Sequence, residues 1–393
     1  MTDHITFYQF CSALRRKGGL ALCLALCMLG LGLCAIADDH KATIITIDAP
    51  GAGTIPGQGT QANAVNPEGT VIGWYLDANY TWYGFLRTPN GKIFTFSAPG
   101  AGTGTYQGTG GWDITPAGEI TGDYVDVNCL EHGYLREPDG KFITFEAPNS
   151  GNISNPCQNG VWGGLQGTVP ASINPAGEIA GVTLDANNVW HVFLRAPDGK
   201  FITFDAPGAG TGPFQGTWVD FPEGLNAQGT TTGWYIDETY TYHGYVRTAD
   251  GKIATFDGPG EGVQFTVAYS TDSQGATVGY YLDAANLYHG FLRTKEGKIT
   301  TIDVPGAATG AYQGTLPEAM SDEGVITGNY IDANGANHGF VLTPDGRITK
   351  FDPPGAGTGP GQGTVPWYIG VTGAITGLFI DANGLSHGFL RTP

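Results

Sequence analysis

Apolar and polar residues alternate along this chain in segments of five to seven residues that end at turns rich in glycine and proline. The first complete unit shows the pattern, with candidate strands at residues 60–66, 71–77, 83–87 and 92–96. β-branched and aromatic residues fill these segments, whereas glycine and proline occupy turn positions that require a positive or a fixed φ. The pattern predicts four short strands per unit and disfavours helices.

The four-strand unit recurs seven times. Its clearest marker is a Gln-x-Thr triplet, and successive triplets lie 49 residues apart except for one interval of 59 residues. The glutamines of the triplets are Gln58, Gln107, Gln166, Gln215, Gln264, Gln313 and Gln362. In six units, an aspartate at the end of the second strand is followed six residues later by a histidine. Four strands in a repeat of roughly 40–50 residues are typical of a β-propeller blade.

The two ends of the repeated region complement each other. The last unit stops at Pro393, after its third strand, and residues 43–48 match a lone fourth strand. Pairing these segments leaves no unpaired edge in a ring. We therefore predict an all-β fold, a seven-bladed β-propeller with four strands per blade, whose ring is closed by the N-terminal strand at residues 43–48. Residues 38–393 are expected to form this single domain.

The repeated unit also resembles a known family. Residues 387–391 read His-Gly-Phe-Leu-Arg, and residues 351–357 read Phe-Asp-Pro-Pro-Gly-Ala-Gly. This unit resembles the repeats of the bacterial extracellular HAF-repeat proteins, named for a His-Ala-Phe core, although Gly388 stands where the family has alanine. The resemblance covers nearly all of residues 42–393. It implies a secreted, propeller-like protein and does not imply any particular activity.

Residues 1–37 have the three parts of a secretory signal. Basic residues at 15–17 precede an apolar run at 18–33, and residues 35–37 provide the small side chains of a cleavage site. We predict cleavage after Ala37 and a secreted or periplasmic protein that no longer contacts the membrane. An uncleaved membrane anchor is the alternative, since the apolar stretch is just long enough to span a bilayer.

The charge of the chain limits the classes of partner that it can bind. The formal charge is −18, which excludes nucleic acid because binding to phosphates requires clustered Lys and Arg. We define the top face of the ring by the loops that join second to third strands and fourth strands to the next repeat. Acids are expected there, and bases on the opposite, bottom face. Cys129 and Cys157 both fall in top-face loops, so we predict a disulfide between them.

One position varies within the otherwise constant repeat, and such a position is a candidate for function. It lies on the first strand, six residues before the turn glycine, and its occupants are Asn63, Trp112, Ala171, Glu223, Tyr269, Glu318 and Trp367. If the first strands are innermost, these side chains line the upper end of a central channel. All of them except Ala171 are therefore predicted ligand-binding residues, with irregular packing around the axis as the alternative.

Several functions fit these features. Aromatic rings beside carboxylates and amides suit sugar rings, and further aromatic residues such as Tyr80, Trp190 and Tyr240 occupy the loops after the second strands. We expect a monomeric, non-enzymatic protein that binds carbohydrate or another small polar extracellular ligand. One alternative is a glycoside hydrolase or lyase with Glu223 and Glu318 as catalytic carboxylates. Another is a structural or protein-binding surface component.

No cofactor is expected. The chain contains none of the catalytic motifs of serine hydrolases, zinc proteases or phosphate-binding loops. The Asp-Ala-Asn-Gly strings at residues 332–335 and 381–384 match part of a calcium loop but lack its downstream glutamate, so calcium remains an alternative only. The repeated Asp–His pairs could hold a metal, but their sixfold recurrence favours a structural role.

Overall fold

The computed structural model describes residues 42–153, 157 and 165–393, so the predicted signal at residues 1–37 lies outside the described residues. Residues Ala42–Pro393 form one compact unit. The described part of the chain contains 28 β-strands and no helix. In chain order the strands are β1 Thr43–Ile47, β2 Gly59–Val65, β3 Val71–Leu76, β4 Trp82–Arg87, β5 Ile93–Phe96, β6 Gly108–Ile114, β7 Ile120–Val125, β8 Glu131–Arg136, β9 Phe142–Phe145, β10 Gly167–Ile173, β11 Ile179–Leu184, β12 Trp190–Arg195, β13 Phe201–Phe204, β14 Gly216–Val219, β15 Thr231–Ile236, β16 Tyr242–Arg247, β17 Ile253–Phe256, β18 Phe265–Thr271, β19 Thr277–Leu282, β20 Tyr288–Arg293, β21 Ile299–Ile302, β22 Gly314–Met320, β23 Ile326–Ile331, β24 Asn337–Leu342, β25 Ile348–Phe351, β26 Gly363–Ile369, β27 Ile375–Ile380 and β28 Ser386–Thr392.

Each repeat forms an antiparallel group of strands that pair in chain order. In the first repeat, β2 pairs with β3, β3 with β4, and β4 with β5. The boundaries of these strands lie within one residue of those predicted from the alternation of apolar and polar positions. The agreement arises because glycines with positive φ, such as Gly69 and Gly91, end the strands at defined turn positions.

A single parallel bridge joins each group to the next. The first strand of one group pairs with the third strand of the preceding group, as Gly108 of β6 does with Trp82 of β4. Gly108 has a φ of +121°, and a Cβ atom there would overlap the carbonyl oxygen of Trp82, so this junction requires glycine. In the fifth repeat, Phe265 takes the equivalent position opposite Tyr242.

These bridges make the ring continuous. The first three strands of every group form a closed ring of 21 strands, and the seven fourth strands lie outside it. The fold is therefore an all-β, propeller-like closed ring. The bridges join neighbouring groups at the top of their strands, a link that the predicted seven blades of four strands did not include.

The N-terminal strand closes the ring as predicted. β1 pairs antiparallel with β28, from Thr43 opposite Thr392 to Ile47 opposite Gly388. β2 also bridges β28, through Gly59 and Ser386. The first and last repeats are therefore joined both inside and outside the 21-strand ring.

One aromatic residue on each third strand forms the centre of packing in its repeat. Each is fully buried, and most meet the edge of a phenylalanine from the preceding fourth strand; Phe96 and Tyr134, for example, have ring centroids 6.5 Å apart. Burying such a ring stabilises the fold by roughly 1.5–3 kcal/mol, so the core is distributed around the ring. These residues are Phe85, Tyr134, Phe193, Tyr245, Phe291, Phe340 and Phe389.

Acidic and basic side chains lie at opposite ends of the strands. Asp77 follows the end of β3, whereas Arg87 ends β4 and pairs with Val71 at the start of β3. The same register recurs in the other repeats, so the top face carries the second-strand aspartates. Within residues 42–153, 157 and 165–393, no helix is long and apolar enough to cross a membrane.

The predicted disulfide is confirmed. Cys129 and Cys157 are bonded, with their Cα atoms 5.3 Å apart. Cys129 lies in the turn between β7 and β8, and Cys157 lies in the long connection between β9 and β10. The bond therefore ties that connection to the top face, and it is compatible with an oxidising compartment such as the periplasm or the extracellular space.

Candidate functional site

The variable position on the first strand coincides with a β-bulge. In six of the seven first strands, the antiparallel register shifts by one residue at this position, as between Ala62 and Ala64. A bulged residue has no direct partner on the neighbouring strand, and the bulge redirects its side chain. The bulged residues are Asn63, Trp112, Ala171, Tyr269, Glu318 and Trp367.

The fourth repeat carries an insertion in place of the bulge. Its first strand ends at Val219, residues 220–224 leave the sheet, and Leu225 returns to it through an antiparallel bridge to Thr231. Within this segment, Phe221 packs against Trp112 of the second repeat with ring centroids 5.0 Å apart. The insertion therefore reaches from the fourth repeat toward the opposite side of the ring.

Glu223 fixes the insertion to three other repeats. Its carboxyl group accepts hydrogen bonds from the amides of Ile369 at 3.0 Å and Met320 at 3.3 Å and from the Ser270 hydroxyl at 2.6 Å. Burial raises the pKa of Glu223 to about 8, and these bonds act in the opposite direction. Glu223 lines a cavity of about 150 Å³ at the bottom of the axis. It does not face the upper channel as expected, because the insertion carries its side chain across the axis.

An aromatic cavity of about 480 Å³ lies above the insertion, a volume within the range of small-molecule sites. It is termed the upper cavity, because its first-strand residues lie nearer the top face than those of the bottom cavity, which come from the last two residues of the first strands. Pro222 lines both this cavity and the bottom one, so the insertion separates the two. The lining residues are Gln61, Asn63, Trp112, Val169, Trp218, Asp220, Phe221, Pro222, Trp234, Tyr269 and Trp367.

Aromatic rings form much of the wall of the upper cavity. Trp218 stacks on Trp234 with ring centroids 5.8 Å apart and planes 21° apart. Trp234 in turn lies 5.8 Å from Tyr269. Trp112 and Trp367 supply rings from the second and last repeats. All five side chains are partly exposed, so their rings remain accessible to a ligand.

Two buried acids accompany this wall. Asp220 lines the upper cavity and is only 5% exposed. Burial, together with the negative charge of Glu318, raises the pKa of Asp220 well above its usual range. Glu318 is equally buried, and its Oε2 atom has no hydrogen-bond partner among the described residues. Burial raises the pKa of Glu318 as well, so the neutral form of each acid is favoured.

A second pair of acids lies behind Trp112. The indole N–H of Trp112 donates a hydrogen bond to Asp123 Oδ1 at 2.5 Å. Burial raises the pKa of Asp123 to about 7. The pKa of Glu131 is also raised, by burial and by the charge of Asp123. The bond to Asp123 fixes the orientation of Trp112 in the cavity wall.

The structure brings four of the six predicted ligand-binding residues to the upper cavity, namely Asn63, Trp112, Tyr269 and Trp367. Glu223 and Glu318 are not among its lining residues. Glu223 lies at the bottom of the axis, and the bulge at Glu318 leaves that side chain buried beside Asp220. The two carboxyl groups of the enzyme alternative therefore do not share this cavity.

Sequence reasoning missed Asp220, Trp218 and Trp234. Counting forward from Gln215 of the Gln-x-Thr triplet, the fifth residue is Asp220, which matches the offset of every other member of the variable position. Counting back from the turn glycine passes through the three-residue insertion and selects Glu223 instead. A comparison of repeats from the start of the strand would have found Asp220.

Six histidines on the top face bridge pairs of carboxylates. His387 Nδ1 lies 2.7 Å from Asp48, and its Nε2 atom lies 3.8 Å from Asp381. Asp381 Oδ1 also accepts hydrogen bonds from the turn amides of Asn383 and Leu385. The repeated Asp–His pairs thus hold turns and fourth strands together. In the described part of the chain, no group of three or more His, Cys, Asp or Glu side chains is arranged so that it could hold a metal ion. The other five bridging histidines are His132, His191, His243, His289 and His338.

Comparison with known proteins does not assign this chain to a family. No family model and no curated protein matches it. Among solved structures, an oligogalacturonate lyase from Vibrio parahaemolyticus is 11% identical with a TM-score of 0.49, and the match covers 89% of this chain and 96% of that one. A lectin from Burkholderia pseudomallei is 9% identical with a TM-score of 0.49, covering 85% and 96%. TolB from Acinetobacter baumannii is 11% identical with a TM-score of 0.41, covering 82% of this chain and 63% of that one, which is less than two thirds of its length.

Proposed function

We propose that this protein is a secreted, seven-bladed β-propeller of the HAF-repeat type that binds carbohydrate in its upper cavity. The observation that carries the proposal is the composition of the cavity, in which four indole rings and the phenol of Tyr269 lie beside the amides of Gln61 and Asn63. A pyranose ring presents C–H groups that pack on aromatic faces and hydroxyl groups that need polar partners. The cavity offers both.

Strand pairing supports the interpretation of each four-stranded group as one blade. The seven groups have the same strand order and register, and β1 takes the place of the fourth strand in the last group. First strands are then innermost, which accounts for the position of the cavity on the axis. This interpretation also explains why the bulged residues of separate repeats converge.

Exposed aromatic residues extend the proposed site onto the top face. Tyr240 and Tyr312 are 57% and 60% exposed, and each has a φ near +60°. Glycine occupies the equivalent positions, Gly335 and Gly361. A large side chain in this backbone region costs roughly 1 kcal/mol or more. Tyr312 meets the ring of Tyr288 and the Tyr240 hydroxyl donates to the Pro213 carbonyl, but most of each ring stays in water. These rings are therefore suited to contact a longer saccharide that enters the cavity.

A glycan array tests the proposal directly. Purified protein is expected to give reproducible hits that are lost in Trp112→Ala and in Trp367→Ala. Phe94→Ala is the matched control, because Phe94 is an exposed ring on a fourth strand outside the cavity. Folded protein that binds no glycan, or hits that survive both tryptophan substitutions, would contradict the proposal.

A further inference from the structure

In the part of the chain that the structure describes, the upper cavity contains an acidic side chain and no basic one. Among its described lining residues, none is Lys, Arg or His, whereas Asp220 is a carboxylic acid. Asp220 directly follows the first strand of the fourth repeat, and Glu318 lies close enough for its charge to affect it. The described wall of the cavity therefore has one acidic residue, Asp220 of the fourth repeat, and Glu318 of the sixth repeat is buried near it.

Asp220 has no ionic partner in this arrangement. Its side chain is 5% exposed, and the described residues place no Lys, Arg or His in a salt bridge with it. A buried carboxylate without a positive partner is unfavourable, so the acid is held neutral until a cation arrives. A cationic ligand would supply the missing partner.

The aromatic wall favours the same kind of ligand. Trp234 packs between Trp218 and Tyr269, and the parts of these ring faces that stay exposed to the cavity carry the negative part of the ring quadrupole. A positively charged group that lies over such faces gains an attraction that a neutral group of the same shape lacks, and indole is the strongest of the aromatic partners. The rings and the carboxyl group thus attract positive charge into the same cavity.

We propose that the upper cavity selects saccharides that carry a positively charged amino group over neutral and acidic saccharides. This inference rests on the proposed carbohydrate function and names its ligand class. The positive group would lie between Asp220 and the rings of Trp218, Trp234 and Tyr269. Acidic saccharides would be repelled by the formal charge of −18 on the whole chain and would find no basic partner among the described lining residues of the cavity.

Charge selectivity can be measured separately from saccharide binding. Choline and 3,3-dimethyl-1-butanol have nearly the same shape, but only choline is charged, and its charge does not depend on pH. In calorimetric titrations at pH 7.5, we expect choline to bind about tenfold more tightly or better. Oligomers of glucosamine are expected to show a similar preference over oligomers of glucose.

Asp220→Asn is the decisive variant, because it removes the charge and keeps the shape. It is expected to reduce the preference for choline to about threefold or less. Glu238→Gln removes the same formal charge from an exposed top-face position and should keep the full preference. Circular dichroism and unfolding curves confirm that both variants are folded.

The outcomes separate the two proposals. Equal affinity for choline and its neutral analogue, together with binding of glucose oligomers, would overturn charge selectivity and leave the carbohydrate function intact. A preference for choline without binding of any saccharide would overturn the carbohydrate function and support a cation site. Preference that persists in Asp220→Asn would overturn the role given to Asp220.

Discussion

Glu223→Gln offers a quantitative test of the insertion that divides the central axis. Folding raises the pKa of Glu223 from about 4.5 to about 8. Between these two pH values, the carboxyl group is therefore protonated in the folded protein and ionised in the unfolded chain. This group therefore contributes its full stabilisation below about pH 4.5, and the contribution is lost as the pH rises toward 8. A difference of one pKa unit corresponds to about 1.4 kcal/mol, which gives a loss of about 4 kcal/mol by pH 8 as an upper bound. Because the side chain keeps partial exposure, we expect about 2–4 kcal/mol.

Glutamine imitates the protonated form of this residue. In the neutral acid, the Oε2 hydroxyl would donate to Ser270 Oγ, and the side-chain amide of the glutamine in the variant can do the same. Ser270 Oγ already accepts a hydrogen bond from the amide of Met320 at 3.1 Å, so it can serve as the common acceptor. The variant should therefore match the wild type near pH 5 and exceed its free energy of unfolding by about 2–4 kcal/mol at pH 8.

Urea unfolding followed by tryptophan fluorescence at pH 5, 6.5 and 8 measures this difference. The control is Glu238→Gln, which removes the same formal charge from an exposed position and should keep the pH dependence of the wild type. Buried acids that do not interact with Glu223, such as Asp123, titrate in both proteins and cancel in the comparison. Equal pH dependence in the wild type and in Glu223→Gln would refute the burial argument.

Three further predictions concern the ring itself. Cys129→Ser opens a loop with a sequence separation of 28 residues and should lower the free energy of unfolding by about 3.5 kcal/mol, whereas reductant should destabilise only the wild type. Ile47→Ala removes a buried side chain from the closing strand and should cost about 2–5 kcal/mol in chemical denaturation, against under ~0.5 kcal/mol for exposed Thr46→Ala. Glu146→Gln should lower the pKa of His132 in an NMR titration, because the hydrogen bond to Glu146 is the main cause of its raised pKa; an unchanged pKa would show that the bridge is absent in solution.

Repetition made the architecture predictable from the sequence. Turn glycines such as Gly69 and the alternation of residue types around Phe85 are local signals. They therefore predict where strands begin and end even when the tertiary contacts are unknown. The pairing of residues 43–47 with the C-terminal strand followed from counting strands. The parallel bridge at Gly108 was not predicted, because a glycine at a strand start gives no sign of its partner in the preceding repeat.

The candidate site was predictable only where the repeat stayed regular. Trp112 and Trp367 sit on ordinary bulged strands, and both line the cavity. The three-residue insertion broke the alignment in the fourth repeat, so Glu223 was placed in the position that Asp220 occupies. Trp234 lies on a second strand. Whether its ring reaches the cavity depends on how that strand packs against its neighbour, and the repeat pattern of the sequence does not contain this information.

The most direct test of the central claim is the stoichiometry of binding. The strongest glycan-array ligand is titrated calorimetrically into the wild type, Trp218→Ala and the control Phe94→Ala. One cavity on the axis predicts a single site per chain, retained in Phe94→Ala and weakened about tenfold or more in Trp218→Ala. Several equivalent sites per chain, or full affinity in Trp218→Ala, would place the ligand between repeats and contradict a central binding cavity.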